Sequence, residues 1–294
     1  MQEPNKPRLP TGHKLCNFDS NALQSRPLER SHVGLEKIVN HFSESRSLQF
    51  GLTPDAAMFA DRVEAACKTL EQEFPALAIE FTMPYNPSDS NGVHKIENRH
   101  KYLRQRTRTK LWWFVLNDGK GWPEAVQVMG RIDDQDLGTL GVVVGFPAAP
   151  WDFCERLLVA LGDVLAANYS SVLPPEDLGL CATQFNTYWA EHDPTLIQRG
   201  IPRLDLFTYG GAEDIVQPMY LGWLNYWSEA TCAFVGFSGS KEDLDIAPFS
   251  YQTPGKAWLV KFTEEPIDIG CPEHVDALAA AYRRWPKVGK RLAS

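Results

Sequence analysis

The amino-acid sequence predicts an α+β protein, in which one or more mainly antiparallel sheets pack against helices, with two layers or subdomains of similar size as one arrangement. Two apolar helical repeats enclose a series of strand patterns, and this order differs from the strand–helix alternation of a parallel α/β fold. The turn sequence Asn117-Asp118-Gly119 joins two strand patterns and is typical of a β-hairpin. The hydrophobic content of 44% and charged content of 22% are those of a globular protein.

The chain up to residue 173 contains the clearest element signals. Prolines interrupt residues 1–50, which we expect to form a partly irregular arm that contains at most one strand or short helix. A helix is predicted from Thr53-Pro54-Asp55, where a capping hydroxyl, a proline and an acid mark a helix start, to Pro75. A second helix is predicted to begin at Pro150. Strands are predicted from alternating patterns or short apolar runs at 77–82, 111–116, 124–129 and 139–145.

The proline-rich stretch 173–177 is predicted to link two α+β subdomains, residues 51–173 and 178–290, which pack as one unit. In the second subdomain, strands are predicted at 204–208 and 257–263, and residues 238–245 are predicted to form a polar acidic loop. A last helix is predicted to begin at Pro272, and the basic tail 287–294 is expected to fray. Apolar side chains at helical spacing line one face of this helix: Val275, Leu278, Tyr282 and Trp285.

An aromatic stretch near residue 225 dominates the second subdomain. Five side chains recur there with a helical period: Trp223, Tyr226, Trp227, Thr231 and Phe234. The spacing predicts one face of a helix, and we favour the interpretation that this face is the core of the C-terminal half. In the alternative interpretation, Asn225 and Ser228 lie at the edge of a recognition surface, together with the polar tips of the Trp and Tyr side chains.

A basic run precedes the strand predicted at 111–116. Its last four cations follow a period of two: Arg104, Arg106, Arg108 and Lys110. An extended chain would place these cations on one edge, as a nucleic-acid-binding groove requires. We favour a solvated strand face, because no glycine-rich phosphate-binding loop accompanies the run.

The net charge of −8 is unevenly distributed along the chain. Residues 1–110 carry 16 basic and 13 acidic side chains, whereas residues 111–294 carry 13 basic and 24 acidic ones. An acidic field of this kind opposes binding to a polyanion and accelerates encounter with a cationic partner. Solubility alone is the alternative explanation.

The sequence favours a cytoplasmic protein that does not interact with membranes. Residues 1–30 contain no apolar run of the length that an export signal needs, and no apolar stretch is long enough to span a membrane. The six cysteines are scattered, without a CxxC pair, so reduced thiols are expected. They are Cys16, Cys67, Cys154, Cys181, Cys232 and Cys271.

Motifs that carry catalysis are largely missing from the sequence. There is no GxGxxG, no Walker loop and no HExxH, and residues 236–240 lack the final glycine of a nucleophile elbow. We therefore expect neither an enzyme nor a bound cofactor or metal. A hydrolase that uses a carboxylate pair remains an alternative, on three adjacent acidic pairs: Asp133 with Asp134, Glu242 with Asp243, and Glu264 with Glu265.

A family resemblance rests on the aromatic stretch Tyr220-Leu221-Gly222-Trp223-Leu224-Asn225-Tyr226-Trp227-Ser228, which precedes a strand and a terminal helix with Tyr282 and Trp285. This arrangement, over most of residues 50–290, resembles immunity proteins of bacterial polymorphic toxin and type VI secretion systems. The most similar is the immunity protein 52 family, which is associated with nuclease toxins. The resemblance implies an α+β fold, a cytoplasmic location and a cognate toxin as partner, and it supplies no catalytic residues.

The sequence and the resemblance together predict an antitoxin that neutralises a nuclease by covering its cationic active-site cleft. The predicted toxin-binding residues comprise six acids, three aromatic residues and one asparagine. They are Asp133, Asp134, Asp136, Glu242, Asp243, Asp245, Trp223, Tyr226, Trp227 and Asn225. A nucleic-acid-binding module that uses the basic run is the remaining alternative.

Overall fold

The computed structural model describes ten stretches of the chain, all of which lie within one compact unit of residues 39–294. The described residues are 45–53, 56–74, 77–82, 94–106, 112–120, 126–132, 140–147, 150–172, 194–204 and 215–290. Within them the strands are β1 Ser45–Leu52, β2 Phe81–Thr82, β3 His94–Lys95, β4 Trp112–Asn117, β5 Gln127–Ile132, β6 Leu140–Pro147, β7 Ala167–Val172, β8 Leu224–Trp227, β9 Tyr251–Gln252 and β10 Trp258–Lys261. The helices are α1 Ala56–Glu73, α2 Arg99–Arg106, α3 Trp151–Leu165, α4 Pro194–Gln198, α5 Glu229–Val235, α6 Lys241–Ile246 and α7 Pro272–Arg284.

The strands form one ten-stranded sheet in the order β3-β2-β4-β5-β6-β1-β7-β8-β10-β9. Each pair of neighbouring strands is antiparallel. The prediction of an α+β fold with antiparallel pairing is therefore confirmed. The first strand in the sequence, β1, lies in the middle of the sheet between β6 and β7.

The two long helices α1 and α3 cover one face of the sheet. Phe59 of α1 packs edge-on against Phe114 of β4, with 5.9 Å between the ring centroids. Phe153 of α3 packs in the same way against Phe146 of β6, at 6.4 Å. Buried side chains on both helices have the predicted helical spacing, so these two helix predictions are confirmed.

The free cysteines of the helices behave as small apolar residues. Cys67, Cys154 and Cys232 lie on α1, α3 and α5, and all three are buried. Burial raises the pKa of the Cys67 and Cys232 thiols to about 12, because desolvation disfavours the thiolate. These thiols are therefore neutral at physiological pH.

The aromatic stretch is a strand, which corrects the predicted helix. Residues 224–227 form β8, which pairs with β7 on one side and with β10 on the other. A helix begins only at Glu229, where the Ser228 side chain caps α5 by accepting a hydrogen bond from the Thr231 N–H. All four residues of β8 are buried, the polar Asn225 included, so the strand lacks the alternation of apolar and exposed polar residues that marks a half-exposed strand.

Three further predictions are wrong in the described residues. Arg104 and Arg106 lie on helix α2 instead of a strand. Part of the predicted 238–245 loop is helix α6, which Ser240 caps. The start of the tail is packed: Val288 is fully buried, and the Gly289 N–H donates to the Pro218 carbonyl at 2.8 Å. Residues 1–44 and the predicted linker 173–177 lie outside the described residues.

Candidate functional site

An acidic stretch of exposed residues follows strand β10. We call residues 263–276 the acidic segment; it comprises the loop after β10 and the first turn of α7. Between Phe262 and Tyr282 the sequence contains five acidic residues and no Lys or Arg. All five are exposed: Glu264, Glu265, Asp268, Glu273 and Asp276.

Short-range hydrogen bonds fix the backbone of the acidic segment, and several of them converge on Asp268. Its N–H donates to Nδ1 of His274 at 3.0 Å, and its Oδ1 accepts from the Gly270 N–H at 2.8 Å. The carbonyl oxygen of Asp268 accepts from the Cys271 N–H at 3.0 Å. These bonds join the loop to the helix, so the carboxylates are carried by an ordered support.

The beginning of the acidic segment is attached to the core. The indole N–H of the buried Trp223 donates to the Thr263 carbonyl at 3.2 Å. The Thr263 hydroxyl donates to the Glu265 carbonyl at 2.6 Å. The exposed residues Glu264 and Glu265 therefore come directly after Thr263, which is hydrogen-bonded to the core.

The two acids at the helix end of the acidic segment, Glu273 and Asp276, each have a partner close by. The Cys271 thiol donates to Oε2 of Glu273 at 3.1 Å and lowers the pKa of that carboxyl below its ordinary value. The position of Glu273 in the first turn of α7 is favourable for an anion. Asp276 pairs with Arg199, with 2.6 Å between Oδ1 and Nη2.

The three predicted toxin-binding acids at positions 242, 243 and 245 lie on α6 and differ in their surroundings. Glu242 and Asp245 are exposed, as a binding surface requires. Asp243 is fully buried: its Oδ2 accepts from the N–H and hydroxyl of Ser238 at 2.8 and 3.0 Å, and its Oδ1 accepts from Nη2 of Arg284 at 2.8 Å. Burial alone would raise the pKa of Asp243, but the hydrogen bonds from Ser238 and Arg284 lower it. Asp243 therefore joins α6 to α7 and does not face a partner.

The predicted aromatic contacts lie in the core. Trp223, Asn225, Tyr226 and Trp227 are each at most 4% exposed. Trp227 packs edge-on against Phe237 and Trp285, with both centroid distances at 5.5 Å. The core interpretation of this stretch is thus correct, although its predicted helix is not.

Asn225 does not lie at the edge of a recognition surface. Its side chain joins the ends of the strands around β8 by hydrogen bonds. Its Oδ1 accepts from the Gly222 N–H at 2.8 Å and from the Ser171 hydroxyl at 3.2 Å. Its Nδ2 donates to the carbonyls of Gly222 and Val260 at 2.8 and 3.2 Å. The amide is fully used within the protein, so it offers nothing to a partner.

The predicted basic edge does not form along α2. Arg104 and Arg106 are two residues apart on a helix, and therefore about 200° apart around its axis. Asp61 lies beside the helix, 2.6 Å from His100 and 3.9 Å from Arg104. The hydrogen bond from His100 lowers the pKa of Asp61. Arg108 and Lys110 lie outside the described residues, as do the predicted toxin-binding residues Asp133, Asp134 and Asp136.

One surface depression in the described part of the chain is smaller than a typical ligand site. A shallow depression of about 160 Å³, open to solvent, is lined by Gln49, Tyr169, Ser171, Met219 and Tyr220. This volume is below the roughly 300–1,000 Å³ of typical ligand pockets. Among the described residues, no three His, Cys, Asp or Glu side chains are arranged to hold a metal ion, and no helix has the length and apolarity to cross a membrane.

Comparison with known proteins identifies the family. Residues 60–293 match the model of a domain of unknown function, DUF5953. The chain belongs to the DUF5953 family. The matched region of this DUF5953 protein contains the aromatic stretch, helix α6 and the acidic segment. No curated protein matches the sequence.

A solved structure shares the fold of this DUF5953 protein. The Pseudomonas aeruginosa T6SS (type VI secretion system) protein PA0821 is similar with a TM-score of 0.54 and 12% sequence identity. The similarity covers 90% of this chain and 84% of that one. At this identity the likeness concerns the fold.

Sequence reasoning noticed Glu264 and Glu265 only as a pair and missed the acidic segment as a surface. The available signal was the stretch of residues 262–282 without Lys or Arg. Helical periodicity drew attention to residues that are buried, whereas the exposed acids have no periodic pattern.

Proposed function

We propose that this protein is an immunity protein, an antitoxin that binds and neutralises a cognate toxin delivered by a bacterial secretion system. The observation that carries the proposal is the acidic segment, with five exposed carboxylates on an internally hydrogen-bonded loop and helix start. A surface of this kind is suited to a cationic protein partner.

A nuclease is the toxin class that fits this surface best. A nuclease binds the phosphate backbone with Lys and Arg side chains, so its active-site cleft is cationic. An inhibitor that places carboxylates over that cleft competes directly with nucleic acid. Inhibition of this kind needs no catalysis by the antitoxin and takes place in the cytoplasm, where the nucleic acid of the producing cell lies.

Two likenesses support the proposal. The fold is similar to that of a protein whose name assigns it to a type VI secretion system. The stretch around Trp223 resembles the immunity protein 52 family, whose partners are nuclease toxins. This resemblance implies a cognate toxin as the partner of the chain.

The proposal is tested with the toxin encoded by the neighbouring reading frame. The association and dissociation rates of the purified pair are measured at low ionic strength, together with inhibition of the toxin's nuclease activity. The variant Glu264→Lys/Glu265→Lys reverses two exposed charges of the acidic segment. We expect it to associate roughly tenfold more slowly than the parent and to inhibit less.

The matched control is Glu73→Lys/Glu97→Lys, which changes the net charge by the same amount at two exposed positions outside the acidic segment. We expect this control to retain most of the parent's association rate. Absence of binding by the parent would refute the antitoxin function. Equal slowing by the two double variants would refute the acidic segment as the binding surface.

A further inference from the structure

Two exposed aromatic side chains lie close to the acidic segment. Among the residues that the structure describes, three large hydrophobic side chains are strongly exposed: Met58 (47%), Phe249 (42%) and Tyr251 (41%). Two of these belong to the short connection from α6 into β9, which we call the 249–251 segment. A partner that covers these two aromatic side chains would remove their exposed apolar surface from water, which is favourable.

The 249–251 segment is held in place by the backbone N–H of Lys261 and, through Glu155, by the side chain of Lys261. The Tyr251 hydroxyl donates to Oε1 of Glu155 at 3.0 Å, and Oε2 of Glu155 is 3.3 Å from Nζ of Lys261. The Lys261 N–H donates to the Ser250 hydroxyl at 3.0 Å. The Tyr251 ring is therefore exposed but held by a hydrogen bond. Tyr251 thus loses little side-chain conformational entropy when a partner binds it.

Lys261 connects the 249–251 segment to the acidic segment. Lys261, which holds the former, is the last residue of β10, and the acidic segment begins two residues later. Three residues of chain separate Lys261 from Glu264, a span of at most about 11 Å. On the other side, the exposed acids Glu242 and Asp245 precede Phe249 on α6. Exposed carboxylates thus precede and follow the two aromatic residues in the sequence, with the exposed Lys256 between Tyr251 and Glu264.

This arrangement suits a folded partner better than an added strand. Strand β9 is only two residues long, and Pro254, which has no N–H to donate, follows closely. Aromatic side chains surrounded by polar groups are the usual centre of a protein–protein interface. The bound surface must therefore offer an apolar pocket with cations around it.

We propose that the 249–251 segment is the apolar anchor of the toxin-binding surface, with Phe249 and Tyr251 inserted into a pocket that basic side chains of the toxin surround. This inference rests on the proposed antitoxin function and assigns its contact residues. Phe249 and Tyr251 supply the buried apolar contact and slow dissociation, whereas the acidic segment accelerates association.

The test compares the variants Phe249→Ala and Tyr251→Ala with the parent in toxin binding. We expect each to raise the dissociation rate roughly tenfold or more, with little change in the association rate, because the charges are untouched. Tyr251→Phe keeps the ring and should lose less affinity than Tyr251→Ala. The control Met58→Ala removes a side chain of similar exposure from α1 and should bind as the parent does.

The outcomes separate the two proposals. Slow association of Glu264→Lys/Glu265→Lys, combined with dissociation of Phe249→Ala and Tyr251→Ala within twofold of the parent, would overturn the anchor and leave the antitoxin function standing. Absence of binding by the parent would overturn both. Loss of self-association in Phe249→Ala, measured by sedimentation with unchanged toxin binding, would make a second copy of this chain the occupant and would also overturn the anchor.

Discussion

At the scale of single residues, burial separates side chains that look equivalent in the sequence. Glu242, Asp243 and Asp245 lie within four positions of one another, but only Asp243 is buried. Its carboxylate receives hydrogen bonds from Ser238 and Arg284 and holds the end of α7 against α6. A buried carboxylate with partners of this kind stabilises the fold, whereas its exposed neighbours are available to other molecules.

The substitution Asp243→Asn should lower the free energy of unfolding by about 1–3 kcal/mol at pH 7. The folded-state pKa of Asp243 is lowered, so the charged form contributes stability above the unfolded pKa of about 4, and the contribution is lost as the pH falls through the folded pKa. The difference in free energy of unfolding between parent and variant should therefore be largest at pH 7 and decrease below about pH 4.

Urea unfolding of both proteins at pH 7 and pH 3 measures this difference. The exposed Asp245→Asn on the same helix is the control and should change stability by less than about 0.5 kcal/mol. A difference of equal size at both pH values would show that the Asp243 charge contributes no stability.

At the scale of elements, strand β8 shows how close backbone contact decides a local structure. Gly222, directly before β8, lies against the backbone of Val172 at the end of β7, whose carbonyl accepts from the Trp223 N–H at 2.9 Å. A Cβ atom at position 222 would overlap the Val172 carbonyl oxygen and lie 2.8 Å from its carbon. The pairing of β7 with β8 therefore requires glycine at this position.

The substitution Gly222→Ala should destabilise the protein by about 1–3 kcal/mol or more, because the obstacle is backbone and cannot move without separating the strands. Hydrogen exchange should show faster exchange of the β7 and β8 amides than in the parent. Gly270→Ala is the control, since its nearest neighbour is an Asp268 side-chain oxygen at 3.1 Å. Unchanged protection of β7 and β8 in the Gly222 variant would contradict this explanation.

At the scale of the whole molecule, the uneven distribution of acidic and basic residues along the chain also appears on the protein surface. The excess of acidic over basic side chains lies after residue 110, and the acidic segment is its most concentrated exposed part in the described residues. Long-range attraction acts on the approach of a partner, while short-range packing acts on its release.

If the proposed function holds, the association rate with the toxin should fall by about tenfold or more between 50 and 500 mM NaCl, while the dissociation rate changes little. Stopped-flow or surface-binding kinetics over a salt series measures both rates. Phe249→Ala should show the same salt dependence as the parent, and Glu264→Lys/Glu265→Lys a weaker one. An association rate independent of salt would rule out electrostatic attraction as its cause.

The fold class and the longer elements could be predicted from the sequence, because α1, α3 and α7 bury one face each and their apolar residues keep a helical period. The local structure around Trp227 could not. A strand buried on both faces lacks a two-residue alternation, and its aromatic residues matched a helical period by coincidence. The same limitation affects the candidate site, where the sequence does not reveal which of Glu242, Asp243 and Asp245 finds a partner on a distant helix.

By itself, the sequence determined the α+β class, the antiparallel hairpins, the main helices and the acidic character of the C-terminal two thirds. These properties depend on residue type and near-neighbour spacing, which the sequence contains directly. Only the tertiary structure decided that the aromatic stretch is a core strand, that Asp243 is buried against Arg284, and that Phe249 and Tyr251 are exposed on a segment hydrogen-bonded to Lys261. Each of these features depends on contacts between residues distant in the chain, and such contacts exist only once the sheet has formed.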